Sequence, residues 1–226
     1  MDEMRRFRRA AGAWAAHGGD DGPAAEAARE LAVAAGVRKV VLVEGESDLV
    51  AVEALARRRG RSLDEEGVAV LPLGGAMSIG RFLAVCGPHG LDVTVAGLCD
   101  AGEEHYFRSV LERTGPRPHL THADMEQLGF YVCVADLEDE LIRGLGADTV
   151  QEVLDIEGDL RSFRTFQKQP AQRERGVERQ LRRFMGTHSG RKAQYARSLV
   201  ERLDLDRVPR PLDRLLAHVC LRPPHI

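Results

Sequence analysis

Four short, mostly apolar runs rich in β-branched residues constrain this chain more than any other feature. They are VRKVVLV (37–43), GVAVLPLGG (67–75), LDVTVAGLCD (91–100) and GFYVCVAD (129–136), and a segment of helical periodicity follows each. Runs of this kind signal strands buried on both faces, and such strands need helices above and below the sheet. The expected fold class is therefore α/β, with a parallel or largely parallel four-stranded sheet. Helices are expected at 24–35, 47–59, 78–86, 103–114 and onward from Asp136. Beyond Gly146 no further strand is legible. The segments 147–155, 158–168, 173–185, 190–203 and 211–220 read as helical, with breaks at Gly158, Pro170, Gly186, Gly190, Pro209 and Pro211. Three regions result: an Ala-rich helical lead-in at 1–36, broken at HGGDDGP, an α/β region at 37–146 and a helical region at 147–226.

Composition narrows the function classes. A chain of 226 residues that is 43% hydrophobic and 30% charged can bury a sizeable core and is not disordered. No apolar run approaches the roughly 20 residues that span a bilayer, and the N-terminus lacks a signal-peptide pattern. Cys86, Cys99, Cys133 and Cys220 are far apart and form no CxxC pair, so buried thiols in a reducing cytoplasm are expected. The net charge of −3 is unevenly spread: residues 158–226 hold 16 Lys and Arg against 7 Asp and Glu, and the rest of the chain 16 against 28. The acidic part suits divalent cations and the basic part a polyanion such as nucleic acid; the plainer alternative is a solvated arginine-rich surface.

Open α/β sheets bind ligands outside the carboxyl ends of their strands. The first run delivers Glu44 there, with Glu46 and Asp48 close behind. The second delivers Gly74 and Gly75, which either let a phosphate approach or simply turn the chain. The third delivers Asp100, then Glu103 and Glu104; the fourth delivers Asp136, Glu138, Asp139 and Glu140. Acids therefore leave three of the four strands on one rim. Crowded like charges are relieved by protonation or by a bound cation, and carboxylates suit Mg²⁺ or Mn²⁺. No His/Cys cluster suited to zinc is present at these ends. Gly45 would turn the backbone sharply beside Glu44, and Asp48 lies one helical turn further on. Acids also favour helix N-termini, which accounts for Asp136, Glu46 or Asp48 more readily than for Glu44 and Asp100.

In the basic part, Arg161, Arg164, Lys168, Arg173, Arg175, Arg179, Arg182 and Arg183 are candidates for phosphate contacts, which position a backbone without reading sequence. Phe163, Phe166 and Phe184 lie among them; their helical spacing favours the core over base stacking.

VEGESD, LPLGG, LCDAG and DLEDEL, in that order at the strand ends, resemble a Toprim domain. This metal-binding module is shared by topoisomerases, bacterial primases, recombination proteins and the OLD (overcoming lysogenization defect) nucleases. The likeness is to the OLD branch and covers residues 37–219, with SGRKAQYARSLVERLDLDRVPRPLDRLL similar to its helical C-terminal part. The resemblance implies a mostly parallel four-stranded Toprim (Rossmann-like) sheet flanked by helices, with a helical C-terminal extension. It implies a DNA endonuclease using two Mg²⁺ or Mn²⁺ ions. Glu44, Asp48, Asp100, Asp136 and Glu138 would be the metal ligands, Glu44 and Lys192 would be catalytic, and Lys168, Arg173, Arg175, Arg179, Arg182 and Arg183 would hold DNA. Only two lysines, Lys168 and Lys192, follow residue 39. OLD proteins usually carry an ABC-type ATPase; this sequence has no GxxxxGK[ST], so a free-standing module is expected, paired if at all with a separate ATPase subunit. One departure stands out: the family's DxD motif needs an aspartate at position 102, where this chain has Gly102, leaving Glu103 or Glu104 as substitutes. Two alternatives share the fold, a nucleotidyl transferase or RNA-processing enzyme and a degenerate Toprim module that binds without cutting. Tyr106, Tyr131 and Tyr195 lack the context of a topoisomerase nucleophile.

Overall fold

The computed structural model describes residues 3–115, 117–187 and 189–220. Its sheet comprises β1 (Lys39–Val43), β2 (Val68–Pro72), β3 (Thr94–Cys99) and β4 (Phe130–Val132), ordered β2-β1-β3-β4 with every pairing parallel. Helices α1 (Glu3–Ala16) and α2 (Pro23–Ala34) precede the sheet. α3 (Glu46–Arg58) joins β1 to β2, α4 (Ile79–Cys86) joins β2 to β3, and α5 (Glu104–Thr114) and α6 (His122–Gln127) join β3 to β4. After β4 come α7 (Leu137–Leu145), α8 (Ala147–Ile156), α9 (Leu160–Gln167), α10 (Val177–Gly186), α11 (Lys192–Arg202) and α12 (Arg210–Cys220).

The strands alternate sides although both sides are buried. Val41 and Val43 face a core shared with α3 and with α7 to α12, whereas Val40 and Leu42 face α1, α2, α4, α5 and α6. This is why the sequence shows apolar runs in place of apolar–polar alternation. The lead-in is part of the second layer: Phe7, Ala11 and Trp14 on α1 are all buried, each large side chain contributing about 1.5–3 kcal/mol of transfer free energy. α6 escaped sequence reading because its six residues are too few to show a period; Thr121 and Asp124 cap it reciprocally. All four cysteines are free thiols, three of them buried and Cys220 half-buried. Among the described residues no helix is long and apolar enough to cross a membrane.

Connections from β1 and β3 leave on opposite faces of the sheet, α3 into one layer and α5 into the other. Since β1 and β3 are neighbours, the gap between their carboxyl ends is a topological switch point, where open α/β sheets form their binding crevice.

Candidate metal and nucleic-acid site

Glu44 and Asp100 flank that switch point. Glu44 leaves β1, and its Oε1 accepts a hydrogen bond from the Asp100 backbone N–H at 2.7 Å, clasping the two strand ends together. Gly45 then caps α3, its N–H donating to Asp48 Oδ2 at 2.8 Å. Its backbone is extended (φ −146°), a conformation open to any residue, so the sharp turn expected there is not what requires glycine. At the end of β2, by contrast, Gly74 (φ 67°) and Gly75 (φ 125°) do adopt positive φ as the chain turns out of the strand.

Burial and mutual repulsion act together on these acids. Asp48 is pushed up to about 7, first by burial and then by the charges of Glu138 and Glu44. Asp100 is pushed up to about 8, again by burial first, then by Glu44, Asp48, Asp136 and Glu138. Glu44 is raised by burial and by Glu103, Asp136 and Glu138, against the opposing hydrogen bond from Asp100. The three strand ends therefore form one electrostatically coupled set.

The fourth strand end is held differently. Asp136 caps α7, Oδ1 accepting from the Asp139 N–H at 2.8 Å, while Oδ2 accepts from Arg182 Nε at 2.6 Å and pairs with Nη2 at 2.5 Å. Among the described residues Glu138 Oε1 is buried without a hydrogen bond, and Lys192 Nζ stands 3.5 Å from it. Asp139 and Glu140 serve the fold: Asp139 pairs with Arg143, and Glu140 accepts from the Val134 N–H at 2.7 Å. α10 and α11 both pack on α7, which is how Arg182 and Lys192 reach the rim.

The residues fit a hard divalent cation. The available donors are carboxylate oxygens, which suit Mg²⁺ or Mn²⁺, and Glu138 Oε1 is a buried acceptor with no hydrogen-bond donor of its own. Among the described residues, no three His, Cys, Asp or Glu side chains are gathered into a finished ion cage. The hydrogen bonds give the local reason: Asp48 is turned toward Gly45, and Asp136 toward Asp139 and Arg182.

The structure separates the two candidates for the missing DxD aspartate. Glu104 is tied to Arg108 and lies 3.6 Å from His122 Nδ1. Glu103 makes no ion pair among the described residues; its N–H donates to the Asp100 carbonyl at 3.0 Å, closing a turn that carries it back toward Asp100. An added Cβ at Gly102 would have nothing within 4 Å.

Of the six candidate DNA contacts, four come together. Arg175, Arg179, Arg182 and Arg183 line a cleft of about 690 Å³ with Asp136 and Thr187. Lys168 and Arg173 lie outside it, both exposed, with Arg173 Nε donating to the Lys168 carbonyl at 3.0 Å. Phe163 and Phe184 are buried, and Phe166 packs edge-on against Phe184, so these rings stack on one another and not on bases. Sequence reading missed the anchor beneath Lys192. Its neighbour Arg191 pairs with Asp159 and bonds the Glu157 carbonyl at 2.9 Å, while Tyr195 OH also donates to Asp159. Partners more than 30 residues apart in sequence leave no local pattern to find.

Three comparisons bear on this geometry. The family model of the overcoming lysogenization defect protein-like TOPRIM domain matches residues 37–101. The solved C-terminal region of the Xanthomonas campestris pv. campestris OLD protein, phased with platinum, is 27% identical with a TM-score of 0.65, covering 81% of this chain and 92% of that one. The same region phased with mercury gives 27% identity and a TM-score of 0.63, covering 81% and 94%. The C-terminal region of the Burkholderia pseudomallei OLD protein, at 19% identity and a TM-score of 0.59 over 81% and 97%, shares the fold. No curated protein matches the sequence. Residues 37–101 thus carry an OLD-like Toprim domain, and the fold built around them is that of the C-terminal region of OLD proteins.

Proposed function

We propose that the protein is a Mg²⁺- or Mn²⁺-dependent DNA endonuclease acting in the cytoplasm, with Glu44, Asp48, Asp100 and Glu138 as ligands of two ions and Asp136 joining them when Arg182 is displaced. The observation that carries this reading is the coupled set of strand-end acids at the switch point, with Lys192 Nζ 3.5 Å from Glu138 Oε1. Bound divalent ions supply charge neutralisation at the scissile phosphate and a water acidic enough to attack it near neutral pH. The chain's own groups do the rest. Glu44, whose Oε1 is engaged by the Asp100 N–H, offers Oε2 either to an ion or to the proton of the attacking water. Lys192 offers a fixed ammonium to the charge developing on the phosphoryl oxygens, a role whose loss costs on the order of 10²–10³ in rate. The arginine cleft beside Asp136 holds phosphates flanking the scissile one, with Lys168 and Arg173 extending the basic surface.

The test is incubation of plasmid, linear DNA and RNA with the protein in Mg²⁺ or Mn²⁺, beside Glu44→Ala and Lys192→Ala. Metal-dependent cutting of DNA that both substitutions abolish is the expected result. Salt-sensitive binding without cutting supports a degenerate binding module instead, and cutting confined to RNA supports an RNA-processing enzyme.

A further inference from the structure

The acid rim has a basic cleft on its β4 side, where α10 packs on α7; β2 forms the opposite edge of the sheet, and α1 packs there. A second cleft of about 690 Å³ opens at that edge between α1, α3 and α11. Its lining includes Arg5 and Arg9 of α1, Glu46 of α3, Arg197 of α11 and Pro72, the last residue of β2. Glu46 lies two residues from both Glu44 and Asp48, so the cleft borders the rim itself.

Charge in this cleft divides into a neutralised wall and a free set. Arg8 pairs with Glu53 at 2.7 Å and with Asp64 at 2.8 Å, and Arg57 lies 3.8 Å from Glu53. Those contacts pin α1 to the body of the fold. Arg5, Arg9 and Arg197 are exposed and make no ion pair among the described residues, leaving three free cations against the single carboxylate of Glu46. Arg5 and Arg9 stand at i and i+4 on one helix face, where like charges repel. Neither belongs to the buried side of α1, which is Met4, Phe7, Ala11 and Trp14. Arg197 shares a helix with Lys192, so α11 meets the rim with one side chain and this cleft with another.

We infer that the α1–α3–α11 cleft is a second binding site for a phosphodiester backbone, with Arg5, Arg9 and Arg197 contacting phosphates on the side of the acid rim opposite α10. This rests on the nuclease reading and sharpens its substrate class. A strand held on both sides passes through the rim, which suits cutting within a continuous strand over trimming an end.

The test measures binding of a fluorescein-labelled 30-base-pair duplex in Ca²⁺ across a salt series. The native protein is compared with the triple variant Arg5→Ala/Arg9→Ala/Arg197→Ala and with the corresponding triple Arg→Lys variant. Each phosphate contact contributes about 0.9 to the slope of log K against log salt. The Ala variant is expected to lose about 2.7 from that slope, three contacts' worth, and to bind at least about tenfold more weakly, while the Lys variant keeps the native slope. An unchanged slope in the Ala variant, or an equal loss in the Lys variant, overturns this site alone. Arg175→Ala/Arg179→Ala reports on the α10 cleft separately, and a native protein that binds no duplex overturns this site and the nuclease reading together.

Discussion

Arg182 places two guanidinium nitrogens on a single oxygen of Asp136, at 2.6 and 2.5 Å, while the other carboxylate oxygen caps α7. A residue expected from sequence to touch DNA is thus committed to one expected to touch metal. Both assignments can hold only if the pair exchanges partners, Asp136 turning to an ion and Arg182 to a phosphate. Removing the guanidinium removes the competitor for Asp136. Arg182→Ala is therefore expected to bind Mn²⁺ about three- to tenfold more tightly by calorimetry, while the metal-free protein melts a few degrees lower, about 1 kcal/mol of lost pairing. Unchanged Mn²⁺ affinity would sink the exchange.

Stability of the metal-free protein should depend on pH in a definite direction. Asp48 and Asp100 have ordinary values of 3.8 and are raised to about 7 and about 8 in the fold. Between about pH 4 and about pH 8 the folded chain keeps protons that the unfolded chain releases, so stability falls as pH rises through that window. The melting temperature in EDTA should be higher near about pH 5 than near about pH 8 by several degrees. Asp100→Asn should flatten the profile and raise the melting temperature at the alkaline end, and saturating Mg²⁺ should also flatten it. A native profile in EDTA that is already flat would contradict the crowding of these acids.

Much of this architecture was legible because it is local. Each of the four apolar runs contains a strand, and Glu44 and Asp100 follow their strands directly, as expected from residues that end apolar runs. Strand order was not legible, because nothing in the runs records that β3 lies beside β1 and not beside β2. The same limit hid the Arg182–Asp136 pair, whose partners are 46 residues apart. Gly102 was visible as a departure, but whether Glu103 or Glu104 answers it depended on where Arg108 and His122 stand. The chain bends at Gly45 between β1 and α3 as its neighbours suggested, but the extended backbone there does not require glycine.

The contrast between Glu103 and Glu104 can be measured. Glu104 is held by Arg108 and approached by His122, whereas Glu103 closes the turn onto Asp100 and makes no ion pair among the described residues. Glu103→Gln is expected to weaken Mn²⁺ binding by about an order of magnitude, as loss of one carboxylate near a divalent site does. Glu104→Gln should leave it within about twofold. Because a Cβ at position 102 meets nothing within 4 Å, Gly102→Asp should fold normally and restore Mn²⁺ affinity to Glu103→Gln. Equal effects of the two glutamine substitutions would remove Glu103 from the site.

Lys192 depends on what holds the start of α11. Arg191 binds Asp159 and the Glu157 carbonyl, Tyr195 adds a second donor to Asp159, and Ser198 Oγ donates to Glu157 at 2.6 Å. These bonds fix the first turns of the helix against the α8–α9 junction. Asp159→Asn keeps the volume but loses the charge that Arg191 faces, a cost of about 1–2 kcal/mol for a partly exposed pair. In a chain of this size that lowers the melting temperature by roughly 2–8 °C. If Asp159 acts through Lys192, the cleavage rate constant should fall while the Kd for DNA stays within about twofold, since the arginines of the α10 cleft are untouched. A variant with lowered melting temperature but native turnover would make the network structural only, with Lys192 positioned by its contact to Glu138 alone.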